Sequence, residues 1–298
     1  MSLEQGKCNL CDYGEFDLVK SRLRAGQDKF KVYKCKKCNH IQLLPKPTEA
    51  DDKEFYSNNL QDKNCKKTID LAKLKENHGD DTDRYVQLIK ASFPHNSAIL
   101  DIGVGYGFFV SELFRNGYKN VKGLEISDER RELALKHSPV PIASHDVSAG
   151  PAVIGKYDVI TLFHVLEHLA DPIEFLKNIK ALLKPEGVLI LEVPNVKELL
   201  LDNSKEYNDF YWIRAHLNYF DQETLSYALK KAGFKKIALQ HVQRYGLLNL
   251  SNWLLYGKPQ IEKPIFNIKG DFKEVELFYR DYLIKSKKTD SLQVMAGN

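Results

Sequence analysis

The chain has 298 residues, 43% of them hydrophobic and 28% charged, with a formal net charge of +4. That balance fits a folded chain with a sizeable core and excludes a disordered or fibrous one, and so mild a charge is no argument for nucleic acid. No apolar run approaches a membrane span and Met1–Leu10 lacks the build of a signal peptide, so a cytoplasmic protein is expected.

In such a compartment the five cysteines read as thiols or metal ligands before disulfides. Four of them form the pairs Cys8-x-x-Cys11 and Cys35-x-x-Cys38. Each pair can offer two thiolates to one ion, and the two together complete a tetrahedral zinc site. Lys34, Lys36 and Lys37 add positive charge that favours thiolates. Phe16 to Tyr33 is rich in β-type residues around a turn near Ala25-Gly26-Gln27, which suits a zinc ribbon over residues 1–47. So short a unit cannot build an adequate core alone, so the ion is expected to stabilise it. Its expected role is structural, with a basic edge toward the substrate. Phe30 and Tyr33 alone do not make a stacking platform for single-stranded RNA.

Residues 48–95 read as a helical connector. Thr48 to Asn64, with Phe55-Tyr56, suggests a short helix and a loop, and Cys65 is a bland thiol. Helical spacing from Lys66 to Phe93 breaks near His78-Gly79-Asp80.

Ala98 to Ile102 is a short apolar run of the kind that makes a buried parallel strand. It breaks at Gly103-x-Gly105-x-Gly107 and resumes as an amphipathic helix. The glycines allow a tight turn and close approach of a ligand. The spacing is not the G-x-G-x-x-G of a dinucleotide site, and Asp101 would repel a pyrophosphate but attract an ammonium. Val121 to Glu125 is a second strand ending in an acid placed for two ribose hydroxyls.

Strand and helix then alternate, as in a doubly wound parallel sheet with its ligand at the carboxyl ends of the strands. Helix Asp128–His137, strand Val140–Ser144, strand Asp158–Phe163, a helix opened by Asp171-Pro172, and strand Val188–Val193 follow in turn. His164-Val-Leu-Glu-His168 spells a zinc-protease pattern, but directly after a buried strand its histidines are better read as lining a crevice. Residues 200–220 hold Tyr207, Phe210, Tyr211, Trp212, Tyr219 and Phe220 with Arg214 and His216, and read as an aromatic lid or substrate wall. A helix from Asp221 and a strand to His241 follow. Residues 244–290 read as an insertion with two helices, Leu247–Leu255 and Val275–Ile284, before an antiparallel last strand, Ser291–Ala296.

Asp101-x-Gly-x-Gly-x-Gly, Glu125, Asp146 and Leu183-Lys-Pro-Glu-Gly-Val188 in this order resemble the class I S-adenosylmethionine (SAM)-dependent methyltransferases. Tyr33-x-Cys-x-x-Cys38 with Leu44-Pro-Lys-Pro47, Gln243-Arg-Tyr-Gly246 and Trp253–Pro259 are similar to the zinc-ribbon methyltransferases of bacterial sugar and polysaccharide pathways. The resemblance implies an α/β, mostly parallel seven-stranded sheet covering residues 96–298. It implies SAM as cofactor and S-adenosylhomocysteine as product. The implied cofactor residues are Asp101, Gly103, Gly105, Gly107, Phe108, Glu125, Ile126, Asp146, Val147, Phe163 and His164, with Asp146 on the adenine amino group.

Related sugar C-methyltransferases place a catalytic histidine at His168 and a Glu-His pair at Ala215-His216, where the glutamate is missing. O-methylation needs only a base for a hydroxyl proton, which a histidine suits. The expected reaction is methyl transfer to a hydroxyl of a small molecule, a nucleotide-linked sugar above all. His168 or His216 would be the base, with Tyr56, Arg84, Tyr211 and Arg214 around the acceptor. An RNA methyltransferase, a sugar C-methyltransferase and a non-catalytic SAM-binding protein are the alternatives.

Overall fold

The computed structural model describes residues 6–24, 29–48, 51, 70–150, 155–259 and 272–298. Tyr56, Cys65, the turn near Ala25-Gly26-Gln27 and almost all of Thr48–Asn64 lie outside the described residues.

Three strands open the chain: β1 (Phe16–Lys20), β2 (Lys31–Cys35) and β3 (Ile41–Leu44), paired antiparallel in that order. Helices α1 (Leu71–Asn77) and α2 (Gly79–Ser92) follow, separated at His78 as the sequence suggests. Asp70 caps α1 by accepting from the N–H groups of Ala72 and Lys73. The buried face of α2, Tyr85, Val86 and Ile89, has the helical spacing that places it on the main sheet.

That sheet is built from β4 (Ile99–Ile102), β5 (Val121–Leu124), β6 (Ile142–Ala143), β7 (Tyr157–Phe163) and β8 (Leu183–Pro194). Between them lie α3 (Phe108–Arg115), α4 (Asp128–Leu135) and α5 (Pro172–Leu182). Asp171 accepts from Glu174 N–H and Pro172 takes the first helical turn, so α5 starts where its sequence says it should. Two short helices, α6 (Leu199–Asn203) and α7 (Lys205–Tyr211), lead to a two-residue strand β9 (Asn218–Tyr219). The chain then forms α8 (Gln222–Lys231), β10 (Lys236–Val242), α9 (Leu247–Tyr256), α10 (Lys273–Ser286) and β11 (Ser291–Gly297).

The large sheet runs β10-β11-β8-β7-β4-β5-β6, with β11 antiparallel to both neighbours and β8, β7, β4, β5 and β6 parallel. Its central strands are buried on both faces, which is why they read as unbroken apolar runs. The α/β class, the seven strands and the antiparallel last strand agree with the expectation.

The aromatic segment departs from it. Trp212, Tyr219 and Phe220 are buried, and β9 pairs with β3 as the fourth strand of the N-terminal sheet. Trp212, Leu217 and Tyr219 pack in one cluster with Leu23, Phe30, Val32 and Leu43. Trp212 and Tyr219 supply core that the short N-terminal sheet cannot make for itself, while Phe220 packs in the cluster of the main sheet.

Candidate functional site

The glycine loop joins β4 to α3. At Gly103 φ is +79°, and an added Cβ would stand 2.5 Å from Val165 Cγ2. At Gly105 φ is +55°, and nothing lies within 4 Å of where a Cβ would be. The first glycine is required by packing; the second leaves its surface open to a ligand. Gly105 N–H donates to Glu125 Oε2 at 2.8 Å, and Ser127 N–H donates to Glu125 Oε1 at 2.9 Å. Glu125 thus stands buried at the end of β5, fixed against the loop. Asp101, also buried, accepts from Thr161 Oγ1 at 2.7 Å. Burial, aided by the nearby Glu125 charge, pushes its carboxyl up to about 7 despite that hydrogen bond.

The remaining cofactor candidates lie on the elements that follow the loop. Phe108 opens α3 and meets the His137 ring at 5.5 Å. Ile126, next to Glu125, is 69% exposed, an apolar side chain in solvent beside an open loop. Asp146 is exposed and caps the turn at 147–149 by accepting from Ser148 N–H at 2.8 Å. Val147 belongs to the core, and its carbonyl accepts from Asn178 Nδ2 at 2.9 Å. Phe163 is stacked on Tyr85 with ring centroids 3.6 Å apart.

A second group of polar residues gathers at the carboxyl end of β7. His164 has φ +55°, a left-handed backbone that costs a non-glycine residue about 1–2 kcal/mol. Its ring lies between two buried acids, with Nδ1 3.4 Å from Glu167 Oε1 and Nε2 3.5 Å from Glu192 Oε1. Burial and the Arg244 charge oppose protonation, but the two carboxylates prevail and push His164 up to about 9. Burial would raise Glu167, yet His164, His168 and His216 hold it down to about 2. Glu192 is likewise held down to about 2 against burial, by His164 and Arg84.

Arg84 grips Glu192 with both terminal nitrogens, at 2.7 and 2.8 Å, while Tyr85 Oη and Gln293 Nε2 donate to the same carboxylate at 3.1 and 2.9 Å. Arg244 Nη2 reaches Asp81 Oδ2 at 2.5 Å, and Asp81 also accepts from Arg84. Arg84 therefore has its fork filled by Glu192. Arg214 is buried with its guanidinium carbon 4.8 Å from the centre of the Phe30 ring. Both were expected at the acceptor; one supports a buried acid and the other packs on the N-terminal sheet. Tyr211 Oη is buried without a hydrogen-bond partner, and burial with the Glu198 charge lifts its pKa.

The turn at 166–168 carries Glu167 and His168 toward His216. The two imidazoles are edge to face, 5.0 Å between centroids. His168 Nδ1 donates to the Ala215 carbonyl at 2.7 Å, which leaves Nε2 with its lone pair. His216 is pushed down to about 3 by burial and by the neighbouring His168. Segment 215–218 is clamped to the turn: Leu217 N–H donates to the Glu167 carbonyl at 2.8 Å and Asn218 Nδ2 to the Leu169 carbonyl at 2.7 Å. From the other side Asn218 Oδ1 accepts from Asn9 Nδ2 at 2.9 Å and lies 3.1 Å from His40 Nε2.

The four cysteines converge. Cys8 Sγ is 3.5 Å from Cys38 Sγ and Cys11 Sγ 3.6 Å from Cys35 Sγ. A tetrahedral zinc ion with bonds of about 2.3 Å sets its sulfurs about 3.8 Å apart, so the set fits that ion. The hydrogen bond from Cys38 pulls the Cys8 thiol down to about 5. Among the described residues no helix is long and apolar enough to cross a membrane.

A family profile described as a methyltransferase domain matches residues 60–239. The chain belongs to this methyltransferase family. The methyltransferase is 34% identical over 121 residues to a ubiquinone biosynthesis O-methyltransferase of Actinobacillus pleuropneumoniae, covering 37% of this chain and 51% of that protein. A protein of the same name from Caulobacter vibrioides is 31% identical over 105 residues, 33% of this chain and 40% of the other. The chain thus spans about half the length of the curated relatives it matches. Magnesium protoporphyrin IX methyltransferase of Synechocystis, solved with bound S-adenosylhomocysteine, superposes with a TM-score of 0.51 at 15% identity, over 84% of this chain and 100% of that one. A SAM-dependent methyltransferase of Archaeoglobus fulgidus gives 0.50 at 18% identity, over 76% and 98%. These two share the fold.

Sequence reasoning missed Glu167 as a partner of both histidines, and missed Glu192, Asp81 and Asn218 altogether. A signal for Glu192 was available: it is the one acid in the apolar run Val188–Val193.

Proposed function

We propose that this methyltransferase transfers the SAM methyl group to a hydroxyl of a small molecule, with the Glu167–His168–His216 cluster drawing off the hydroxyl proton. The observation that carries the reading is the bond from His168 Nδ1 to the Ala215 carbonyl, because it fixes the tautomer whose Nε2 can accept a proton. His216 and Glu167 lie against that ring, and the unpartnered Tyr211 hydroxyl adds a donor for an acceptor oxygen. The carboxylate absent at Ala215 has a counterpart in Glu167, a carboxylate within 4.8 Å of a ring nitrogen of His216.

SAM supplies an electrophilic methyl carbon on a sulfonium. In our reading Asp101 holds its ammonium, Glu125 its ribose hydroxyls, and Asp146 its adenine amino group. Gly103, Gly105 and Gly107 form the loop beneath it, with Phe108, Ile126, Val147, Phe163 and His164 around it. The open surface at Gly105, the exposed Ile126 and the single side-chain hydrogen bond to buried Asp101 among the described residues support this assignment. Zinc on Cys8, Cys11, Cys35 and Cys38 would lock the N-terminal sheet, and through β9 it would hold His216 and the turn carrying His168.

The relatives named for ubiquinone biosynthesis support O-methylation. Resemblance of the cysteine and Gln243–Gly246 stretches points to a nucleotide-linked sugar as acceptor. The test is a panel of nucleotide sugars and hydroxylated aromatics, assayed by S-adenosylhomocysteine release. With any acceptor that turns over, His168→Asn should lower kcat by about 100-fold or more while S-adenosylhomocysteine affinity stays within about twofold. Turnover unchanged by that substitution would refute the assignment.

A further inference from the structure

We propose that Glu167, His168 and His216 hold one divalent transition-metal ion, at a site separate from the cysteine cluster, which receives the acceptor's hydroxyl oxygen. The inference rests on the reading of this pocket as the acceptor side. One ligand atom from each residue lies within 4.8 Å of the other two. An ion with bonds of about 2.0–2.2 Å in tetrahedral geometry would draw such atoms to about 3.4 Å.

Three independent features point to an ion. The bond from His168 Nδ1 to the Ala215 carbonyl is the outer contact that metal-binding histidines use to fix the tautomer and aim Nε2. Glu167 is 1% exposed, and neither of its oxygens has a hydrogen-bond partner in the protein. His164 Nδ1 stands at ion-pair range of Oε1, 3.4 Å away, and supplies charge but no hydrogen bond. His216 Nδ1 is buried and unpartnered as well. A carboxylate and an imidazole left so are costly to bury, and an ion between them removes the cost.

The donor set also selects the ion and its ligand. Two imidazoles and one carboxylate suit zinc, manganese, iron, cobalt or nickel rather than calcium or magnesium, and leave positions open for acceptor oxygens. One carboxylate leaves a divalent ion with a single positive charge, which an ionised hydroxyl would neutralise. The O–H bond then breaks with its electron pair kept on oxygen and its proton passed to water, and the histidines act as ligands. Two adjacent oxygens, as in a vicinal diol or a hydroxyketone, would chelate best.

The experiment is a cobalt(II) titration of the full chain with zinc retained on its cysteines. The expected result is one further equivalent of cobalt, with visible d–d bands but no thiolate-to-cobalt charge transfer. Glu167→Gln and His216→Asn should each weaken that binding more than about 100-fold, with S-adenosylhomocysteine affinity showing that the variants are folded. Failure of the wild-type chain to take a further equivalent overturns the inference, as does a further equivalent that persists in both variants. If no ion binds and His168→Asn still abolishes turnover, the inference falls and the base reading stands. If an ion binds and turnover ignores all three residues, the placing of the acceptor falls instead.

Discussion

Asn218→Ala is the sharpest test of how the N-terminal sheet serves the pocket. Asn218 is fully buried and holds three groups: the Leu169 carbonyl at 2.7 Å, Asn9 Nδ2 at 2.9 Å and His40 Nε2 at 3.1 Å. Truncation leaves all three without this partner, and each buried polar group so stranded costs about 1–3 kcal/mol. Taking the low end for three groups gives about 3 kcal/mol, a large part of the about 5–15 kcal/mol that stabilises a typical domain. Urea unfolding should show that loss in the midpoint with the slope unchanged. In the fraction that stays folded, kcat should fall as well, because segment 215–218 carries the carbonyl that orients His168. S-adenosylhomocysteine affinity should hold, since Asn218 touches no part of the glycine loop. A loss below about 1 kcal/mol, or unchanged kcat, would refute the coupling.

Asp101 gives a pH signature. Its carboxyl is pushed up to about 7 in the free protein, so binding an ammonium beside it must expel a proton at lower pH. S-adenosylhomocysteine affinity should weaken about tenfold per pH unit below 7 and level off above it, and calorimetry at pH 6 should show about one proton released. Asp101→Asn should flatten the profile; a wild-type affinity constant from pH 5.5 to 8 would exclude the contact. Replacing Cys11 and Cys38 by Ala should lower Tm and kcat together while sparing the cofactor site, and a double variant with wild-type turnover would sever the sheet from the pocket. Glu192→Gln keeps the shape but strips the charge that faces Arg84 and His164, so it should cost about 3–5 kcal/mol by thermal or urea unfolding. A loss under about 1 kcal/mol would show that Arg84 is free to serve a ligand.

The fold was legible because its signals are local. A buried strand, a positive-φ glycine turn and a helix leave marks within a dozen residues, and Asp171-Pro172 and Asp221–Thr224 announce their helices by capping chemistry. The four cysteines were readable for the same reason. Residues 212–220 were not, because β9 has two residues and no periodicity, and its partner strand β3 lies near the other end of the chain. Aromatic density at Trp212 and Tyr219 meant burial against the N-terminal sheet, whose missing core the sequence assigns to a metal ion. Arg84 and Arg214 misled in a related way: a basic residue near a pocket looks like a ligand contact until its buried acid or ring is known. Glu167 was seen only as a letter in a protease pattern, since its link to His216 depends on the chain returning after Asn203.

The pairing of β3 with β9 also bears on synthesis. A ribosome delivers residues in order, and the N-terminal sheet must wait for the stretch around 212–220 before Val32, Leu43 and Phe30 can be covered. During that interval a nascent chain exposes the apolar side of three finished strands and an unpaired β3 edge, which invites chaperones or a neighbouring chain. Early metal capture by the cysteines would tether the hairpins through that delay. Expression in zinc-poor medium should then lower the soluble yield of the nascent protein more than it lowers the stability of protein already folded.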